Sequence, residues 1–241
     1  DKIEEIKNLN IPIKKINQEA RWRTIYSGMA FSNTLYGIGL PYVLGINDGR
    51  FKDGLRLMTF GGSFYGMYKY TSQMELPYGR FQFQNTGAIF GGLSLFPLIS
   101  IIGWDNWIDF DEKGKLSLIY EMISIPYGVI LADRLYYKWG LTNGQASMVS
   151  NSSINGLLNT SLLLDIIYDD GWSDENISRL YTSLTYLGGF GQGYLMKNYI
   201  YDKSFTEDDA LFVQTSSLVG FYNWLNIINI IDSENSFLNE I

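Results

Sequence analysis

Pairs of small-residue anchors twelve residues apart, each followed by an apolar run and an acidic junction, recur along the chain and limit the folds open to it. Gly144 and Gly156 frame the stretch GLTNGQASMVSNSSINGLL, which runs from Gly140 to Leu158. Gly79 and Gly91 frame YGRFQFQNTGAIFGG, and Asp208 and Gly220 hold the same spacing in EDDALFVQTSSLVG. From anchor to anchor the step is 65 and then 64 residues. Asp105-Asn106-Trp107 and Asp170-Gly171-Trp172 close two of the copies and are again 65 apart, and Asp232-Ser233-Glu234 closes the third. Asp48-Gly49-Arg50 closes a partial copy near the N-terminus, with Pro41 standing 7 residues ahead of it much as Pro97 stands 8 ahead of Asp105. Periods of this size belong to stacked units that bury their apolar faces on one another.

Each copy holds two apolar segments of about twenty residues, which is the arithmetic of a helical hairpin. The segments are 20–46, 52–70, 80–103, 114–138, 145–168, 176–198 and 209–231. They are too long for ordinary strands. Asp and Ser cluster where helices should start, at Asp111, at Ser173-Asp174 and at Thr206 followed by Asp209, as N-caps do. Strand-like alternation is confined to fragments such as Arg80 to Gln84, RFQFQ. The expected fold is therefore all-α: about seven helices, arranged as three helical-hairpin repeats after one unpaired N-terminal helix. The expected boundaries are an N-terminal extension, 1–19, and one helical-repeat domain, 20–241, with units 20–50 (partial), 51–110, 111–173 and 174–234.

Glycine usage speaks to the packing. Gly62 and Gly66, Gly87 and Gly91, and Gly189 and Gly193 are each four apart, and Ser152 and Gly156 extend the series. An interior glycine costs a helix about 1 kcal/mol relative to alanine, so repeated use implies a compensating close approach of helices. On this reading bulky residues at Gly91, Gly156 and Gly220 should damage the fold in parallel ways.

Small-xxx-small spacing is also the language of membrane helices, and segment lengths fit a bilayer span. Composition fits poorly. Segment 145–168 carries Gln145, Asn151, Asn155, Asn159 and Asp165, and 114–138 carries Glu121, Asp133 and Arg134. Such groups are expensive at mid-depth in lipid. An outer-membrane barrel would need short alternating segments, which runs such as LLLDIIY, 162–168, do not supply.

The chain contains no Cys and no His. That removes thiolates, disulfides, Cys-based zinc sites and the commonest general base. Gly188 to Gly193, GGFGQG, resembles a nucleotide loop but lacks the Gly-Lys-Ser/Thr ending and follows a helix-like run where a strand is required. Asp105 to Asp111, DNWIDFD, departs from the calcium-loop pattern, with Leu116 at its twelfth position where the ligand Glu belongs. The turn from Asp169 to Glu175 reads as two helix ends meeting. Glu121, Asp133, Arg134 and Asp165 are the charges most embedded in apolar runs, and an interhelical Arg–Asp pair is the ordinary outcome for such groups. Sequons at Asn151 and Asn159 fall inside expected helices, and a third lies at Asn176. No catalytic, cofactor-binding or metal-binding residue is assigned.

A net charge of −7 and the absence of a basic run longer than Arg21-Trp22-Arg23 argue against a nucleic-acid partner. The chain begins at Asp1, which reads as a processed or trimmed terminus. An acidic, cysteine-free composition rich in Tyr, Asn and Gly suits a bacterial envelope or secreted protein. The expected function is a non-enzymatic structural or assembly component that binds other proteins of a complex. Two rivals stand beside it: an integral membrane protein of seven glycine-packed helices, and a carboxylate-dependent enzyme acting on glycans.

Overall fold

The computed structural model describes residues 16–102, 110–167 and 175–238, and these form helices with no strand among them. The all-α expectation holds. Seven helical rods follow one another. The first is α1 (Arg21–Ser32), a π-helical turn over Asn33–Gly39, and the short α2 (Leu40–Val43). Then come α3 (Gly49–Thr71), the nearly continuous pair α4 (Tyr78–Leu93) and α5 (Leu95–Ile102), and α6 (Phe110–Lys138). The last three are α7 (Asn143–Ile167), α8 (Glu175–Tyr199) and α9 (Glu207–Leu238). The alternating stretch RFQFQ lies in α4, and its burial follows a helix rather than a strand, with Arg80, Phe81 and Phe83 all buried. The expected turns at Asp105–Asp111 and Asp169–Glu175 fall largely outside the described residues, as does most of the extension 1–19.

The pairing of the rods departs from the expected units. Among the described residues α1 packs on α3, α4 on α6, and α7 on α8, while α9 touches only α7 among them to any extent. The unpaired helix is therefore the last one rather than the first. Units 51–110, 111–173 and 174–234 would each have joined a helix to its successor across the other junction. Glycines line the observed pairs and let their backbones touch, and Gly79 and Gly144 do the same at the α4–α7 and α7–α9 junctions, against the carbonyls of Asn143 and Phe205. A Cβ on Gly91 would stand 2.3 Å from the Ser124 carbonyl oxygen, and one on Gly87 2.4 Å from that of Gly128. In the next pair, a Cβ on Gly156 would lie 2.7 Å from the Gly188 carbonyl and 2.8 Å from Gly189 Cα. On α1, Gly28 faces the side chain of Met67 in α3.

Helix N-termini are tied together laterally. The Asn143 side-chain oxygen accepts the Gly79 N–H at 2.8 Å, and its amide donates to the Glu207 carboxylate. Each of those links spans 64 residues of sequence. Thr142 and Gln145 form a reciprocal capping box at the start of α7, and Thr206 and Asp209 form one at the start of α9. These caps satisfy backbone donors that a helix start would otherwise leave open. The two Asp209 hydrogen bonds from Thr206 hold its carboxyl below the usual range.

α7 is the centre of the molecule, since residues 144–153 are buried on every side. Its amide side chains are spent on neighbours, while the buried hydroxyls of Ser147 and Ser150 have no hydrogen-bond partner among the described residues. Gln145 donates to the Ile200 and Lys203 carbonyls, Asn151 to that of Ala210, and Asn155 to the Ser217 hydroxyl. Ala146, Met148 and Val149 meet Phe83, Ala132 and Ile200 in the apolar core. The stretch from Gly140 to Leu158 thus contains a buried helix start whose small residues admit α4, α8 and α9 together. Asn151 is 7% exposed, which rules it out as a glycan acceptor in the folded chain.

Two prolines leave marks that the fold repairs. Pro41 has no N–H and crowds the turn before it, and the preceding residues widen into the π-helical turn. Pro126 lies inside α6 and frees the carbonyl of Met122, which accepts the Tyr36 hydroxyl at 2.7 Å instead. Tyr36→Phe should therefore destabilise the protein by about 1 kcal/mol, because a partly buried carbonyl loses its donor. In a Pro126→Ala background the helix supplies that donor itself, and urea denaturation should show the Tyr36→Phe loss disappearing.

Candidate interaction surfaces

α3 meets the rest of the protein along one stripe. Leu55, Thr59, Ser63 and Met67 are half-buried and Thr71 is fully buried, at the four-residue spacing of a single helix face. The remaining faces are open and apolar. Leu57 and Met58 are each 74% exposed, and Phe51, Phe60, Phe64, Tyr65 and Tyr70 are exposed beside them. Gly54, Gly61, Gly62 and Gly66 have nothing within 4 Å of a built Cβ. The spacing of Gly62 and Gly66 predicted a close approach, but no helix lies over them among the described residues. The end of α3 is well tied: Arg21 donates to the Tyr68 carbonyl and to the Thr71 hydroxyl, and Gln18 to the Ser72 carbonyl. Arg23 lies over the Tyr78 ring. The short basic patch is thus used for helix capping and ring stacking.

α9 repeats the pattern at the other end. Ala210 is buried and Val213, Gln214, Ser217 and Phe221 are half-buried, while Leu211, Phe212, Leu218 and Val219 are exposed. Gly220 lies on the open side with nothing within 4 Å. The parallel expected between Gly220 and the pair Gly91 and Gly156 therefore fails, because among the described residues no helix occupies on α9 the place that α6 takes on α4 and α8 on α7. α8 also exposes an apolar row, including Leu187, Phe190 and Leu195. Monomers seldom leave so much contiguous apolar surface to water.

Between α4, α6 and α8 runs a groove of about 300 Å³ walled by aromatic rings. Phe90 meets Tyr186 edge-on at 5.4 Å and Phe190 at 6.5 Å. Tyr120 shares a hydrogen bond with Ser94 at 2.8 Å. Burial, with a smaller contribution from Tyr120, pushes the Tyr186 hydroxyl above its ordinary pKa. Among the described residues no carboxylate, Lys or Arg lines this groove, whose walls offer aromatic rings and hydroxyls.

Of the embedded charges, Asp133 has a structural role. Asp133 pairs with Arg80, not with its neighbour Arg134, and the contact is 2.8 Å across α4 and α6. Arg80 is only 2% exposed and also donates to the Glu75 carbonyl, and its guanidinium lies 4.9 Å over the Tyr137 ring. Burial opposes the Arg80 charge, but the hydrogen bond and charge of Asp133 outweigh it and hold the pKa above the usual value. Gln84 completes the cluster by donating to Asp133 at 2.9 Å. Arg134 and Asp165 are exposed, and burial alone raises the Glu121 carboxyl. A cavity of about 440 Å³ between α1, α3, α4 and α6 has Asp133 as its one carboxylate. Among the described residues no group of three or more Asp or Glu gathers as a metal site would require. Gly188 to Gly193 lies inside α8, where Gly188, Gly189 and Gly193 are packed against α7, so the phosphate-loop resemblance ends there.

Among the described residues one helix stretch, Gly114–Lys138 in α6, is long and apolar enough to cross a bilayer by length and composition. It carries Glu121, Asp133 and Arg134. No family model, curated protein or solved structure matches the chain.

Proposed function

We propose that this protein is a non-enzymatic assembly component, a stack of helical-hairpin repeats that acts by binding other proteins on its bare helix faces. The carrying observation is the pair of half-packed outer helices. α3 and α9 each bury one narrow stripe and leave rows of large apolar side chains open. In the interior the same kinds of residue are covered by a partner helix. Exposed aromatic and aliphatic clusters of this kind match the cores of protein interfaces, where Tyr, Phe and Met are enriched. Polar groups support the reading from the other side: Gln145, Asn151 and Arg80 are engaged by structural partners, and Asp133, which lines the cavity between α1, α3, α4 and α6, is already held by Arg80. The acidic, cysteine-free composition suits a place in a bacterial envelope or secreted complex.

A second reading, an integral membrane protein, draws on the apolar stretch Gly114–Lys138. The two separate cleanly in solution. A chain that binds through protein contacts should purify as a folded, soluble species in detergent-free buffer, with helical circular dichroism and reversible unfolding. A chain that stays folded and dispersed only in detergent or bilayers would overturn the assembly reading in favour of the membrane one.

A further inference from the structure

The outermost helices carry what the inner pairs use up. α4 and α7 each receive a partner helix on the side bearing Gly91 and Gly156. On α9 the side bearing Gly220 carries no helix and opens on a groove shared with α7 and α8 among the described residues, flanked by the exposed Leu218 and Val219. On α3 the reverse holds. Gly61, Gly62 and Gly66 form an uncovered small-residue track among Leu57, Met58, Phe60 and Tyr65. One end of the molecule lacks a helix with small residues set among apolar ones, and the other end supplies such a helix.

Charge points the same way and is independent of shape. α3 carries Arg50, Lys52, Arg56 and Lys69 against Asp53 alone, whereas α9 opens on Glu207, Asp208 and Asp209 and has no basic residue along its length. Two α3 faces or two α9 faces would repel, and one of each attracts. We propose that the occupant of these faces is a second copy of this chain, with α3 of one copy docked on the Gly220 side of α9 of the next. The inference rests on the reading that the bare faces bind protein, and adds which protein. The two patches differ, so the contact is heterologous, and each added copy leaves one patch of either kind free for growth or for ring closure.

Sedimentation velocity of the full chain in detergent-free buffer tests this. The mean mass should climb with protein concentration and fall as salt rises, because screening weakens the charged part of the contact. Gly220→Leu on α9, and Arg50→Glu with Lys69→Glu on α3, should each weaken association roughly tenfold or more while leaving the circular dichroism unaltered. Asp208→Lys should do the same, and mixing that variant with the Arg50→Glu/Lys69→Glu variant should restore mixed association through the swapped charges. A monomer at every concentration in plain buffer would overturn self-docking while leaving the faces to a different protein. Association indifferent to all these substitutions would overturn it too. Dependence on detergent would overturn both this inference and the reading beneath it.

Discussion

Gly156→Leu is expected to unfold the protein or to destabilise it by about 3 kcal/mol or more, whereas Gly220→Leu should leave stability unchanged or slightly improved. At Gly156 the new side chain would drive into the Gly188 carbonyl, Gly189 Cα and Gln192 Cβ of α8, which stand 2.7–2.8 Å from the Cβ position. Two of those three contacts are backbone, which cannot swing aside as a flexible side chain does. The pair must separate, and the packing of the α7–α8 seam goes with it. Gly91→Leu should behave alike, against the Ser124 carbonyl at 2.3 Å. At Gly220 nothing lies within 4 Å, so only the helix preference of leucine remains, a gain of up to about 1 kcal/mol. Guanidinium denaturation of the three variants gives the comparison. Equal losses at all three sites would refute the packing described for α9, and tolerance at all three would refute the glycine seams altogether.

Asp133→Ala should be the most damaging change of a charged residue, at about 3–5 kcal/mol, because it leaves Arg80 buried without its partner. The guanidinium is 2% exposed, and its remaining contacts, the Glu75 carbonyl and the Tyr137 ring, do not neutralise it. Replacing both members, Arg80→Met with Asp133→Leu, removes the uncompensated charge and should recover most of the loss. Arg134→Ala, one residue along but exposed, should change stability by less than about 0.5 kcal/mol. The decisive quantity is the coupling in the double-mutant cycle. Additive losses for Arg80 and Asp133 would mean that the pair is not what holds α4 to α6 at that end.

The helical class and the places where helices begin were readable from the chain, since twenty-residue apolar runs bounded by Asp and Ser have few other uses. The capping box at Thr206 and Asp209 stands where its residues announced it. Which neighbour each helix chooses was not readable. Short polar junctions flank every rod on both sides, and either would let a helix fold back on the next. Glycine spacing could not decide it, because Gly62 and Gly66 have the same four-residue step as Gly87 and Gly91, yet the first pair is open and the second is buried under α6. Spacing says that a helix can be approached closely, while burial depends on whether another helix is there. Arg80 was hidden differently. It sits in a stretch that alternates like a strand, and its partner Asp133 is 53 residues away, outside the repeat step. The Tyr36 hydroxyl on the Met122 carbonyl, 86 residues apart, likewise follows no local pattern, although Pro126 marked where a carbonyl would be freed.

Amide hydrogen exchange at low and high protein concentration tests most directly the claim that α3 and α9 are docking faces. At low concentration the slowest amides should lie in α4 and in the first half of α7, and exchange should be fast along α3 and α9. At high concentration, protection should rise on those two helices and nowhere else. Protection that is unchanged by concentration, or that rises on α8 and the aromatic groove instead, would contradict the account.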